Sequence, residues 1–248
     1  MIRLAHICRH PIKSIGFEEL ASASLTQGRA LPFDREWAVL HDAAKVERLA
    51  GWAAKMNFLR GVAGPDLMAI RARLDEAARE VTLHHPKAGE IVVAPDRDEA
   101  ALLAWLRPLW PQDRPAPARV GHVRGQAMTD VPEPYVAVLN LASNADLGAR
   151  LGCDLSVHRW RGNLWLEGLA PWAEGDLLGR SLRIGGAELR LVERITRCKA
   201  TTVNPETGRA DADTLGALQS AFGHQDFGIY ALVTKSGPIA CGDPVEVL

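Results

Sequence analysis

The chain has 248 residues, 47% of them hydrophobic, and a formal net charge of -1. That length allows one large domain or two modest ones, each with its own core. A balance this close to neutral gives no global field for nucleic acid or an anionic membrane, so neither is an expected partner.

The first ten residues have no long apolar core and no cleavage pattern, and no apolar run approaches the length of a membrane span. The four cysteines, Cys8, Cys153, Cys198 and Cys241, are widely separated and form no CxxC pair. Free thiols in a reducing, cytoplasmic setting are the expectation. Cys8, Cys153 and Cys241 read as small buried apolar residues.

In chain order, residues 4–8 read as a strand entering the loop His10-Pro11-Ile12-Lys13-Ser14. Residues 18–25 alternate weakly before a turn at Gln27-Gly28-Arg29. Residues 35–40 form a strand, and 67–74, 80–83 and 90–94 form three more, with Pro86 and Gly89 as turn residues between the last two. Apolar residues at helical spacing predict a helix within 96–110, ended near Pro108. The Pro/Arg-rich stretch 111–117 is the best linker.

Residues 135–139 predict a buried strand. Ser143 is placed to cap a helix running to Leu151, with Gly152 as its stop. Residues 155–160 and 164–166 read as strands flanking Arg161-Gly162-Asn163. A hairpin is expected from 181–184 and 188–195 about Gly185-Gly186. A helix follows at 214–222, then closing strands at 227–234 and 244–247. Many short strands and few helices favour barrel-like β architecture in both halves.

The richest chemistry lies at Thr196-Arg197-Cys198-Lys199 and the following Thr201-Thr202-Val203-Asn204-Pro205-Glu206-Thr207-Gly208. A thiolate is a soft metal ligand or a nucleophile. A neighbouring guanidinium favours an anion and can hold a phosphate oxygen. Arg161-Gly162-Asn163 adds a planar cation, a glycine that lets backbone approach a ligand, and an amide. Lys13-Ser14 offers a cation, a hydroxyl and backbone N–H groups in one loop, and Asp34-Arg35 supplies another guanidinium. These cations and hydroxyls come from both halves, with one thiol among them. They suit a phosphorylated cofactor held between two β domains. No GxGxxG, P-loop, HExxH or GxSxG motif competes.

These motifs, with the closing Gly242-Asp243-Pro244-Val245, resemble the MOSC family over nearly the whole chain. The resemblance is closest to the two-domain group that includes the mitochondrial amidoxime-reducing component and its bacterial relatives. It implies a mainly β fold with some helix (α+β): an N-terminal β-barrel-like domain at 1–115 and a MOSC β-barrel domain at 116–248. It implies the molybdenum cofactor, with Cys198 as metal ligand and catalytic centre. Lys13, Ser14, Arg35, Arg161, Asn163, Thr196 and Arg197 would hold the cofactor. Three places depart from the family pattern: Asn204 replaces an aspartate, Gly162 replaces a proline found in some relatives, and residues 140–143 replace a more Ser/Thr-rich loop.

Two activities follow from the resemblance. One is an oxidoreductase reducing small N-hydroxylated (N–O) compounds, with electrons from an external donor such as a ferredoxin, flavodoxin or flavoprotein reductase. The other is a carrier that delivers the molybdenum cofactor, or sulfur as a persulfide on Cys198.

Overall fold

The computed structural model describes residues 1–248. Fifteen strands and three α-helices follow one another. They are β1 (Arg3–Arg9), β2 (Glu18–Leu20), β3 (Ser22–Leu25), β4 (Trp37–His41), β5 (Arg71–Asp75), β6 (Glu80–His85), β7 (Gly89–Val93), α1 (Glu99–Leu106), β8 (Pro117–His122), β9 (Val136–Asn140), α2 (Leu141–Leu151), β10 (Leu164–Glu167), β11 (Ser181–Ile184), β12 (Ala187–Thr196), α3 (Thr214–Phe222), β13 (Asp226–Lys235), β14 (Gly237–Ala240) and β15 (Val245–Val247). No helix is long and apolar enough to cross a membrane.

Eight strands form one sheet in the order β15-β11-β12-β13-β9-β10-β1-β2. Its central strands are buried on both faces, as their continuous apolar runs require. Val136, Val138, Leu164, Leu166 and Ile229 join the core on one face. Ala137, Leu139, Trp165 and Phe227 point the other way, onto Leu147 of α2 and Leu218 of α3. Strand β12 serves both cores. Leu189 and Leu191 face the first and Ile195 the second, with a register shift between Leu191 and Glu193.

The barrel expectation is not met. The fold is mixed α+β, with this open sheet, a three-stranded sheet β5-β6-β7 and two strand pairs, β4-β8 and β14-β3. Near β15, one isolated bridge from Arg3 to Pro244 stops short of a closing ladder. One reason is visible in the topology. Strands β9 and β10 run parallel, with α2 in the connection between them. A parallel pair needs such a crossover, and the helix takes the place of a further hairpin.

The segments before and after residue 116 exchange strands. Strand β1 pairs with β10, and β8 pairs with β4. A separate core gathers Ile12, Ile15, Trp37 and Leu59 with β5, β6, β7 and α1. The loop after β1 therefore lies between the large sheet and this second core.

Candidate functional site

That loop is the first wall of the site. Lys13 N–H donates to the Trp37 carbonyl at 2.7 Å and Trp37 N–H to the Pro11 carbonyl at 3.2 Å, fixing the loop to β4. Fully buried His10 donates its N–H to Asp34 Oδ1 at 2.9 Å, and its Nδ1 lies 3.1 Å from the same oxygen. Asp34 in turn pairs with the Arg35 guanidinium.

The second wall comes from the large sheet. A 3₁₀ turn at Val157–Trp160 ends with Arg161 in the left-handed region. Arg197 follows β12. It donates from Nε to the Phe227 carbonyl at 2.7 Å and from Nη1 to the Trp160 carbonyl at 2.9 Å. Its Nη2 is buried with no partner. Gly228 makes this packing possible, because a Cβ there would stand 3.2 Å from that nitrogen and 2.8 Å from Leu139. Cys198 is exposed, and its carbonyl begins the 3₁₀ turn Lys199–Thr202 by accepting from Thr201 N at 3.1 Å.

All eight residues singled out from the sequence line one cavity of about 190 Å³: Lys13, Ser14, Arg35, Arg161, Asn163, Thr196, Arg197 and Cys198. Lys55, Arg60 and Arg159 add further cations, and Asp130 is the one carboxylate in the lining. Three of the six non-glycine residues at positive φ are among the eight: Ser14 (63°), Arg35 (54°) and Arg161 (49°). Such backbone costs free energy and persists where the surroundings over-determine it, which is characteristic of functional sites.

Burial sets the electrostatics. It pulls the Lys13 ammonium down to about 8, against the pull of Asp130, which accepts from Nζ at 2.6 Å. Burial, with Arg35 close by, lowers Arg161 to about 9. Arg197 falls to about 10, with burial again the largest cause. Both guanidinium groups keep their charge at neutral pH. Burial alone would raise the Asp34 carboxyl, but Arg35 and His10 outweigh it and hold it well below the ordinary range. The result is several desolvated cations facing one space, where an anion is attracted more strongly than in water.

Several roles differ from the sequence reading. The Asn163 amide is spent on backbone. Its Oδ1 accepts from Ala137 N at 3.0 Å, and its Nδ2 donates to the Cys8 carbonyl at 3.2 Å. Gly162 makes room for a side chain rather than a ligand, since a Cβ there would stand 2.0 Å from Leu139. Thr196 Oγ1 donates to Asp226 at 2.6 Å. The Thr201 hydroxyl bonds to that of Thr214 at 2.8 Å, tying the turn to α3. Asn204 keeps its turn and donates to Asp211 at 2.7 Å, where an aspartate would face a like charge. Cys153 and Cys241 are exposed rather than buried; Cys8 is buried.

Sequence reasoning missed Tyr135 and Tyr230. They are the only two tyrosines in the chain. Both line the cavity and stack with ring centroids 4.9 Å apart. Nothing local to either residue signals this; the pairing of β9 with β13 brings them together.

The profile of the MOSC domain matches residues 126–246, the span that supplies Cys198 and most of the second wall. The chain carries a MOSC domain over that span. It is related to mitochondrial amidoxime-reducing component 1 of mouse, at 32% identity over 154 residues, covering 56% of this chain and 44% of that protein. The human protein of the same name is 32% identical over 123 residues, covering 45% of this chain and 36% of that protein. A molybdenum cofactor sulfurase of Drosophila grimshawi is 25% identical over 99% of this chain and 34% of its own length. The chain thus spans less than half the length of these relatives. Among solved structures, the YUAD protein of Bacillus subtilis aligns over 100% of this chain and 96% of its own, at 12% identity and a TM-score of 0.47.

Proposed function

We propose that this cavity holds the molybdenum cofactor and that the protein reduces N-hydroxylated compounds. One observation carries the reading: eight residues, chosen from separate sequence motifs, meet around one cavity with a single accessible thiol. Two relatives are named for amidoxime reduction, and a third for the molybdenum cofactor.

The donor set fits such a group. No cluster of three or more His, Cys, Asp or Glu side chains forms a metal cage. One thiolate therefore suits a metal whose other ligands arrive with its cofactor, and its softness matches sulfur ligation. The unpartnered Arg197 Nη2 is a buried donor waiting for an acceptor. Lys13, Arg35, Arg161 and Arg197 would neutralise an anionic phosphate. Ser14 would add a hydroxyl from a backbone already turned left-handed. Asn163 and Thr196 hold the walls in place through their own hydrogen bonds.

When bound, the group supplies a metal that cycles by two electrons. Converting an N–OH group to N–H consumes two electrons and two protons and releases water. An external electron donor, such as a ferredoxin, flavodoxin or flavoprotein reductase, would supply the electrons. The cationic walls favour a neutral N-hydroxylated substrate over its more basic, cationic product, which aids release.

The test is turnover. Protein made in cofactor-competent cells should reduce an N-hydroxylated amidine when a small reduced dye supplies electrons. Bound molybdenum without turnover would contradict the reductase reading and favour delivery of cofactor or sulfur instead.

A further inference from the structure

We infer that one edge of the cavity mouth, formed by residues 55–62 together with Lys199, is the docking surface for an acidic one-electron carrier protein. The inference rests on the redox reading above. The two segments make one edge, since a Cβ on Gly61 would lie 3.6 Å from the Ala200 Cβ. Lys55 and Arg60 line the cavity there, and Lys199 adjoins the exposed Cys198. Lys55 has a loose contact with Asp130 at 3.5 Å, whereas Arg60 and Lys199 have no carboxylate within ion-pair distance.

The edge is also apolar where it is exposed. Met56 is 61% and Val62 38% exposed, and away from the chain termini only Val92 and Leu178 are comparable large hydrophobics. Methionine and arginine beside small apolar patches are enriched at protein interfaces. A net charge of -1 provides no overall steering, so recognition must come from this local cationic edge. Small, charge-steered, salt-sensitive contacts are how transient electron-transfer partners associate. A carrier seated there touches Lys199, the chain neighbour of the exposed Cys198.

Two probe proteins test the inference: an acidic [2Fe–2S] ferredoxin, and a basic cytochrome c as the opposite charge. Cofactor-loaded wild type is compared with Lys199→Glu and with the Met56→Glu/Lys199→Glu pair, neither residue lining the cavity. Ferredoxin should bind wild type more tightly than cytochrome c does. Its affinity should fall about tenfold or more both in the double variant and on raising salt. Molybdenum content and turnover with a small reduced dye should stay at the wild-type level, and Lys199→Arg should bind ferredoxin like wild type. Ferredoxin binding that ignores both charge reversal and salt, or tighter binding of cytochrome c, would overturn the proposal. Wild type without molybdenum or dye-driven turnover would remove the redox reading itself, and the docking inference with it.

Discussion

Arg35 donates from Nη2 to the backbone carbonyl of Arg161 at 2.8 Å, and both residues hold left-handed backbone, at φ 54° and 49°. One cation thus fixes the main chain of another across the cavity, and each is held in a conformation that costs free energy.

Side chain and backbone can be separated at Arg161. Glycine accepts this φ without cost, whereas alanine keeps a strain of about 1 kcal/mol. Arg161→Gly should therefore be more stable than Arg161→Ala by roughly that amount in denaturant titrations. Both should lose cofactor alike, because both lose the guanidinium. Equal stability of the two variants would contradict the strain.

Lys13 gives the site a pH dependence. Its ammonium, pulled down by burial to about 8, is charged below that pH and neutral above it. Sulfate, whose own charge is constant here, should bind the cofactor-free protein less tightly as pH rises through about 8. Binding should take up protons there, since the anion favours the charged amine. Lys13→Arg should flatten the profile. Calorimetry in buffers of different ionisation enthalpy reads both effects.

His10 sets an acid limit. Burial lowers its pKa from 6.5 to about 3, so the folded chain keeps it neutral while the unfolded chain takes a proton below about 6.5. Stability should fall as pH drops from 6.5 toward 3, by at most about 1.4 kcal/mol per pH unit from this residue. His158, lowered to about 4 mainly by burial, adds to the same window. His10→Asn should remove part of the slope between pH 6.5 and 5, before the carboxylates titrate. An unchanged slope would mean that His10 already binds its proton in the fold.

Gly162 tests the packing behind the second wall. Gly162→Ala should cost about 1–3 kcal/mol by driving a methyl into buried Leu139. Shortening that side chain with Leu139→Ala should recover part of the loss, so the two changes should not add. Denaturation midpoints of the single and double variants decide it.

The sequence disclosed the local periodicities well. Helix α3 spans the predicted residues 214–222, and β11 and β12 form the expected hairpin about Gly185-Gly186. It disclosed less where a capping side chain or a distant partner decides. Residues 155–160 look like a strand, yet Ser156 accepts from His158 N at 3.3 Å and starts a 3₁₀ turn. Asn140, not Ser143, caps α2; Ser143 instead donates to Glu174 at 2.7 Å. Strand β8 begins at the end of a linker-like Pro/Arg stretch, and β14 contains Pro238, tolerated in a strand with one partner. The site was legible because its chemistry sits in short motifs. The tyrosine pair was not, because strand pairing alone assembles it.

The most direct test of the account is molybdenum per chain in wild type and in Cys198→Ser, both expressed with cofactor available. Cys198 is exposed, so the substitution should leave folding intact. The account predicts close to one molybdenum per wild-type chain and a large loss in the variant, with unchanged thermal stability of the cofactor-free proteins. Full molybdenum retention in Cys198→Ser would contradict it.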